Sequence, residues 1–76
     1  MTNLKPISGK ECIKILCNKF VFYIARQRGS HVVLKKNLNG KFLGTVVPTH
    51  KDLKIGTLRG ILELAKIGED NFVKYQ

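Results

Sequence analysis

The stretch RQRGSHVVL, residues 26–34, contains the histidine whose neighbours best suit chemistry. His31 follows a Gly-Ser pair, and Arg26 and Arg28 precede that pair. Histidine changes protonation state close to neutral pH, so an exposed His31 suits general acid–base catalysis, and the arginines suit binding of an anionic group. Histidines outside a known motif are more often surface or packing residues, so the residue types alone leave both interpretations open.

The charge balance indicates a polyanionic partner. Fourteen Lys and Arg against five Asp and Glu leave a net charge of +9, and no acidic residue falls within residues 12–51. That stretch holds eight basic residues, which are Lys14, Lys19, Arg26, Arg28, Lys35, Lys36, Lys41 and Lys51. Nucleic acid is the commonest intracellular polyanion that such a surface attracts. A solubilising surface or an acidic protein partner are the alternatives.

Several polar residues besides His31 and the two arginines could assist catalysis or RNA binding. His50 follows the third predicted strand and could act as a partner acid, although an exposed loop histidine is the simpler interpretation. Lys54 and Thr57 begin the second predicted helix and could bind a phosphate, but capping by Thr57 explains the pattern almost as well. Ser30 could orient His31 or contact RNA, or form only local hydrogen bonds. The predicted RNA-binding residues are Arg26, Arg28, Ser30, Lys35, Lys54 and Thr57.

Neither a metal centre nor a membrane segment is predicted. Cys12 and Cys17 lie about 140° apart around a predicted helix, which disfavours a disulfide between them and favours small core thiols. The two histidines, His31 and His50, stand alone, so no Cys/His cluster has metal-ligand spacing, and we expect no cofactor. No run of about 18 apolar residues could span a bilayer, so we expect a cytoplasmic protein with no membrane partner.

The elements that position these residues begin with an amphipathic helix. Ser8 is its predicted N-cap, and Glu11 completes a capping box. Its predicted buried stripe consists of Ile13, Leu16, Cys17 and Phe20.

Three strands follow, in the stretches FYIARQ, SHVVLKK and KFLGTVV. Gly29 marks the first turn, Asn39-Gly40 predicts a tight hairpin because both residues tolerate positive φ, and Pro48 ends the third strand. Strand alternation places Val32 and Leu34 on the core face and His31, Val33 and Lys35 on the solvent face.

A second helix is predicted after Thr57, with buried Leu58, Ile61, Leu62 and Ala65, and a short C-terminal turn or helix packs Phe72 on the core. The predicted fold is α+β in the order α-β-β-β-α, with a three-stranded antiparallel sheet covered on one face by two helices. A chain of 76 residues supports one hydrophobic core, so residues 1–76 are expected to form a single domain.

The motifs SGKE, RQRGSH, VPTH and LKIGTLRGIL, in this order and spacing, resemble the HicA toxin family of small RNA-cleaving proteins. The resemblance extends from about Ile7 to Phe72. It implies a fold like that of double-stranded RNA-binding domains, metal-independent cleavage of mRNA, and inhibition by a HicB antitoxin. In that family the histidine after the Gly-Ser pair is catalytic, and that position is His31 here.

The chain departs from the family pattern at four positions. Val32 stands where the family often has a second histidine. The usual glycine before the aromatic residue of the first strand is missing from NKFVF, and the usual Gly and Ser after the second helix are Lys66 and Gly68. These differences affect local geometry more than the chemistry of His31.

Two functions fit the sequence. The first is a toxin ribonuclease that binds mRNA through the basic surface and cuts it with His31, assisted by His50 or a lysine. The second is a non-catalytic module that recognises the A-form shape, 2′-hydroxyls and phosphates of RNA. The charge excess supports both functions, and only Gly29-Ser30-His31 favours the first.

Overall fold

The structure is a computed structural model that describes residues 3–76. Its elements in chain order are α1 (Gly9–Lys19), β1 (Tyr23–Arg28), β2 (His31–Leu38), β3 (Lys41–Pro48), α2 (Ile55–Ala65) and α3 (Glu69–Val73). The strands form one antiparallel sheet in the order β1-β2-β3. This arrangement confirms the predicted α-β-β-β-α order with a short C-terminal helix.

Helix α1 begins as predicted but buries a different stripe. Ser8 is the N-cap, and its Oγ accepts a hydrogen bond of 3.1 Å from the Glu11 N–H. Of the four residues predicted to be buried, only Leu16 is fully buried, whereas Ile13, Cys17 and Phe20 pack at the edge of the core. Cys12 and Ile15 fill the centre instead, because the helix lies rotated relative to the predicted stripe.

Both cysteines are free thiols, as predicted. Cys12 lies in the core, where burial raises the pKa of its thiol to about 12. Burial also raises the pKa of Cys17. Burial disfavours the thiolate, the nucleophilic form, so both residues act as small apolar groups.

The turns of the sheet use the residues that the sequence indicates. Asn39 and Gly40 have φ angles of 53° and 83° and connect β2 to β3, and Gly29, with φ of 57°, connects β1 to β2. Strand ends differ from the prediction by one or two residues: β1 begins at Tyr23 rather than Phe22, and β3 includes Pro48.

Helix α2 begins earlier than predicted. Lys54 is its N-cap without a side-chain hydrogen bond, and Thr57, predicted as the cap, lies inside the first turn. The reason is tertiary: Leu53 is buried and its N–H donates to the Ile7 carbonyl at 2.7 Å, so the helix begins as soon as the chain leaves that contact. The helix ends at Lys66, whose φ is 58°, with the Ile67 N–H donating to the Leu62 carbonyl.

The core lies between the helices and one face of the sheet. We call this the covered face, and it contributes Val32, Leu34, Thr45 and Val47. From the helices come Leu58, Ile61, Leu62, Ala65 and Phe72, which confirms their predicted burial. The buried hydroxyl of Thr45 donates to the Ile61 carbonyl at 2.9 Å, so this polar group is satisfied within the apolar layer. No helix within residues 3–76 has the length and apolar character needed to cross a bilayer.

Candidate functional site

His31 is the first residue of β2, directly after the Gly29-Ser30 turn. It is exposed, whereas the next residue, Val32, is buried in the core. His31 therefore lies on the sheet face opposite the helices, as strand alternation predicts. We call this the open face; it carries His31, Val33 and Lys35 together with their register partners on β1 and β3.

A β-bulge in β1 brings both arginines onto the open face. Ile24 pairs with Leu34, but the next paired residue is Arg26, opposite Val33, so Ala25 is an extra residue in β1. Regular alternation would place Arg26 and Arg28 on the same side as Ile24, the side of the helices. Because directly opposed residues of antiparallel strands share a face, the bulge places Arg26 beside Val33 and Arg28 beside His31.

The register separates the predicted binding residues along the open face. Arg28 and Pro48 flank His31, so their Cα atoms lie roughly 4.5–5.5 Å from that of His31. Lys35 lies four residues further along β2, at roughly 13–14 Å. Arg28 is therefore the cation nearest to His31 in the register, and Lys35 contacts a different part of any ligand that spans the face.

Three backbone hydrogen bonds hold the segment after β3. Two of them, including the Leu53 bond described above, join it to the start of α1, and the third joins it to the turn before β2. The Gly9 N–H donates to the His50 carbonyl at 2.8 Å, and the Thr49 N–H donates to the Ser30 carbonyl at 2.7 Å. A Cβ atom at Gly9 would collide with the carbonyl oxygen of Pro48, so only glycine fits there. The SGKE and VPTH motifs therefore contact each other, and the bond from Thr49 to Ser30 joins the same segment to the turn that precedes His31.

His50 is exposed and lies two residues beyond Pro48, the register partner of His31. Its Cα lies within roughly 12 Å of the His31 Cα, from the reach of two residues plus one strand pair. Lys54 and Thr57 are exposed at the start of α2, which packs on the covered face through Leu58. Those two residues therefore belong to the helix layer, and the structure separates them from the open face.

The acidic residues of the chain lie outside the sheet. The strands carry Arg26, Arg28, Lys35, Lys36 and Lys41 and contain no Asp or Glu. The acidic residues lie on the helices and in the segment before α2, and Glu69 forms an ion pair of 3.3 Å with Arg59. The sheet is therefore positively charged without carboxylates of its own, which suits an anionic ligand.

Residues 9–67 match the protein family described as HicA toxin of bacterial toxin-antitoxin. The chain belongs to the HicA toxin family. Comparison with curated proteins and with solved structures returned no match. Within residues 3–76, no group of three His, Cys, Asp or Glu residues is placed to hold a metal ion.

Two departures from the HicA pattern occupy left-handed backbone positions. Val21, before the aromatic Phe22, has φ of 63° and is 74% exposed, and Lys66 after α2 has φ of 58°. Val21 and Lys66 thus hold a backbone conformation that glycine adopts without strain and that other residues adopt at a cost. Val32, at the position where HicA proteins often have a second histidine, is only 3% exposed on the covered face. A histidine at position 32 would lie on the covered face, so the presence of valine there removes no side chain from the open face.

Three open-face residues were missed by the sequence analysis. Phe42 and Gly44 of β3 pair with Asn37 and Lys35, and Tyr23 of β1 also pairs with Lys35. The alternation in KFLGTVV could have revealed Phe42 and Gly44, because it separates them from Leu43, Thr45 and Val47.

Proposed function

We propose that this HicA-family chain is a metal-independent endoribonuclease that cleaves mRNA with His31 as its general acid–base residue. The observation that supports this most directly is the position of His31, exposed at the end of a paired strand and beside Arg28 on a face without carboxylates. A strand end holds the imidazole more rigidly than a long loop would. Arg28 is placed to stabilise negative charge at a phosphate that reaches His31.

The reaction uses the nucleophile that RNA itself carries. His31 accepts the proton of a 2′-hydroxyl, whose oxygen forms a bond to the adjacent phosphorus. The bond from phosphorus to the 5′-oxygen then breaks, and that oxygen takes up a proton from an acid. His50, two residues beyond the partner of His31, or a nearby lysine is the proposed donor. The products are a cyclic phosphate and a free 5′-hydroxyl. One bond to phosphorus forms and one breaks, and one proton is accepted and one donated, so the step requires no metal.

Binding of the RNA is assigned to residues other than the catalytic imidazole. Arg26, Arg28 and Lys35 are proposed to contact phosphates along the open face. Ser30 is proposed to hold the turn before His31, through the carbonyl that accepts the Thr49 N–H. Lys54 and Thr57 would contact only RNA that extends past the edge of the sheet to the helix layer.

The proposed regulator is a HicB antitoxin that binds the toxin and covers the open face. A partner surface with carboxylates would complement the cations of the sheet and exclude RNA from His31. We place this activity in the cytoplasm, where mRNA is accessible. A complex that leaves His31 open and fully active would contradict this mode of inhibition.

The test compares wild type with His31→Ala on single-stranded RNA in the presence of a chelator. Loss of a general acid–base group typically costs about 10²- to 10⁴-fold in rate, and we expect a loss of this size with RNA affinity retained. The matched variant Arg26→Gln should instead weaken binding and lower the slope of log affinity against log salt concentration by about one. Cleavage by His31→Ala at the wild-type rate would refute the role of His31, and RNA binding without cleavage by wild type would favour the non-catalytic module.

A further inference from the structure

The open face exposes two aromatic side chains that the proposed chemistry does not use. Phe42 is 64% exposed and Tyr23 is 48% exposed. Both lie on the face of His31, because Phe42 pairs with Asn37 and Tyr23 pairs with Lys35. Exposed aromatic rings beside cations offer a surface on which a ligand with both flat π-faces and negative charge can pack.

Gly44 lies two residues from Phe42 along β3 and across Lys35 from Tyr23, and it leaves a gap in the same face. A Cβ atom there would meet only the Leu34 carbonyl oxygen at 3.7 Å, an ordinary contact, and its φ is not in the positive region. The backbone therefore does not require glycine at this position, and glycine weakens a strand. A strand glycine without a structural need marks a place where a ligand can approach the backbone closely.

The chemistry of the face favours single-stranded nucleic acid over other occupants. Aromatic rings for stacking beside cations for phosphates are the combination that binds unpaired bases. Phe42 lies across from Asn37, six residues along β2 from His31, which corresponds to roughly 20 Å. That length accommodates several nucleotides, with Lys35 and Arg26 between the two ends. A duplex hides the faces of its bases and could not use the aromatic rings.

We infer that Phe42, Gly44 and Tyr23 form a base-stacking platform that binds unpaired RNA and leads its backbone to His31. This inference rests on the proposed ribonuclease function, to which it adds the residues that contact the RNA bases. Bases stack on Phe42 and Tyr23, and the gap at Gly44 admits one base against the backbone of β3. Single-stranded RNA is then the substrate, and duplex RNA is bound only through its phosphates.

The chain contains no tryptophan, so one introduced tryptophan reports on the platform alone. In a His31→Ala background, which keeps the RNA intact, Phe42→Trp fluorescence should be quenched by an unstructured single-stranded RNA and much less by the same strand in a duplex. Leu64→Trp is the matched control, because Leu64 is 59% exposed on α2. Its fluorescence should not change.

Affinity measurements complete the test. In the same background, Phe42→Ala and Gly44→Val should each weaken binding of the single strand by roughly five- to one-hundredfold, the range for loss of one stacked base. Leu64→Ala should leave affinity unchanged. Gly44→Val suits the strand, so its thermal unfolding should show no loss of stability, which excludes misfolding as the cause.

Each alternative result has a definite meaning. Unchanged affinity in both Phe42→Ala and Gly44→Val, tighter binding of the duplex, or quenching by purified antitoxin but not by RNA would overturn the platform. If Phe42→Ala and Gly44→Val, made in the protein that retains His31, bind and cleave like wild type while cleavage depends on His31, the platform fails and the nuclease function stands. If wild type binds single strands through Phe42 but does not cut them, the nuclease function fails and the platform stands.

Discussion

The covered and open faces of the sheet come from alternate residues of the same strands, and they differ in both packing and charge. On the covered face, Val32, Leu34 and Val47 are at most 3% exposed beneath the helices. On the open face, Phe42 stands largely in solvent, and Arg28 and His31 lie side by side. The covered face is therefore packed against the helices, whereas the open face is largely exposed to solvent.

The covered face stabilises the fold, whereas the open face is available to a ligand. Burial of apolar surface accounts for the covered face, where even the hydroxyl of Thr45 has a partner. Cations gathered on one face repel each other, and exposed aromatic rings contribute little to folding. Substitutions on the covered face should therefore change stability, and substitutions on the open face should change function.

The largest effect on stability is expected where the helix layer meets the end of the sheet. Gly9→Ala forces a Cβ atom onto the Pro48 carbonyl oxygen, so we expect a loss of about 3 kcal/mol in the free energy of unfolding, the upper end for overpacking. Gly60→Ala is the control, since nothing lies within 4 Å of its Cβ position in α2, and it should stabilise by up to about 1 kcal/mol. Urea denaturation measures both. Equal effects of the two substitutions would show that Gly9 is not confined.

Adjacent valines in β3 compare the two faces directly. Val47 is fully buried on the covered face, and Val46 is 40% exposed on the open face. Val47→Ala should cost roughly 2–3 kcal/mol, from two methyl groups at about 0.8 kcal/mol each plus a cavity. Val46→Ala should cost less than about 1 kcal/mol, the span of strand propensities. Equal costs, measured by the same denaturation, would mean that the open face is packed like the covered one.

The smallest effect concerns the connection into β1 and should leave both faces intact. Val21→Gly relieves the positive φ of an exposed β-branched residue, so we expect the protein to gain about 1 kcal/mol in the free energy of unfolding, with RNA cleavage unchanged. Val21→Ala, which retains a Cβ atom, should gain less. A lower melting temperature for Val21→Gly would show that the valine side chain contributes a contact that outweighs its strain.

Local chemistry made much of the fold predictable. The Ser8 cap, the Asn39-Gly40 hairpin and the burial of Val32 and Leu34 each depend on residues close in sequence, and each is confirmed. The start of α2 was placed wrongly at Thr57 because the contact of Leu53 with Ile7 links segments far apart in the chain.

Part of the candidate site was also predictable from the sequence. Alternation correctly placed His31 on the exposed face, and composition indicated an uncompensated basic sheet. The position of Arg28 beside His31 could not be predicted, because it depends on the extra residue Ala25 in β1. A bulge reverses the side on which every later residue of the strand lies, and only pairing with the neighbouring strand shows where it falls.

The sequence by itself determined the family, the order of elements, the positive charge and the face on which His31 lies. These follow from motifs, short-range caps and turns, and the period of two in a strand, all of which operate over a few residues. The tertiary structure decided which residues join His31: the bulge that brings Arg28 beside it, the fit of Gly9 against Pro48, and the shared face of Phe42, Gly44 and Tyr23. Each of these depends on register or close approach between distant segments, which the packed chain sets as a whole.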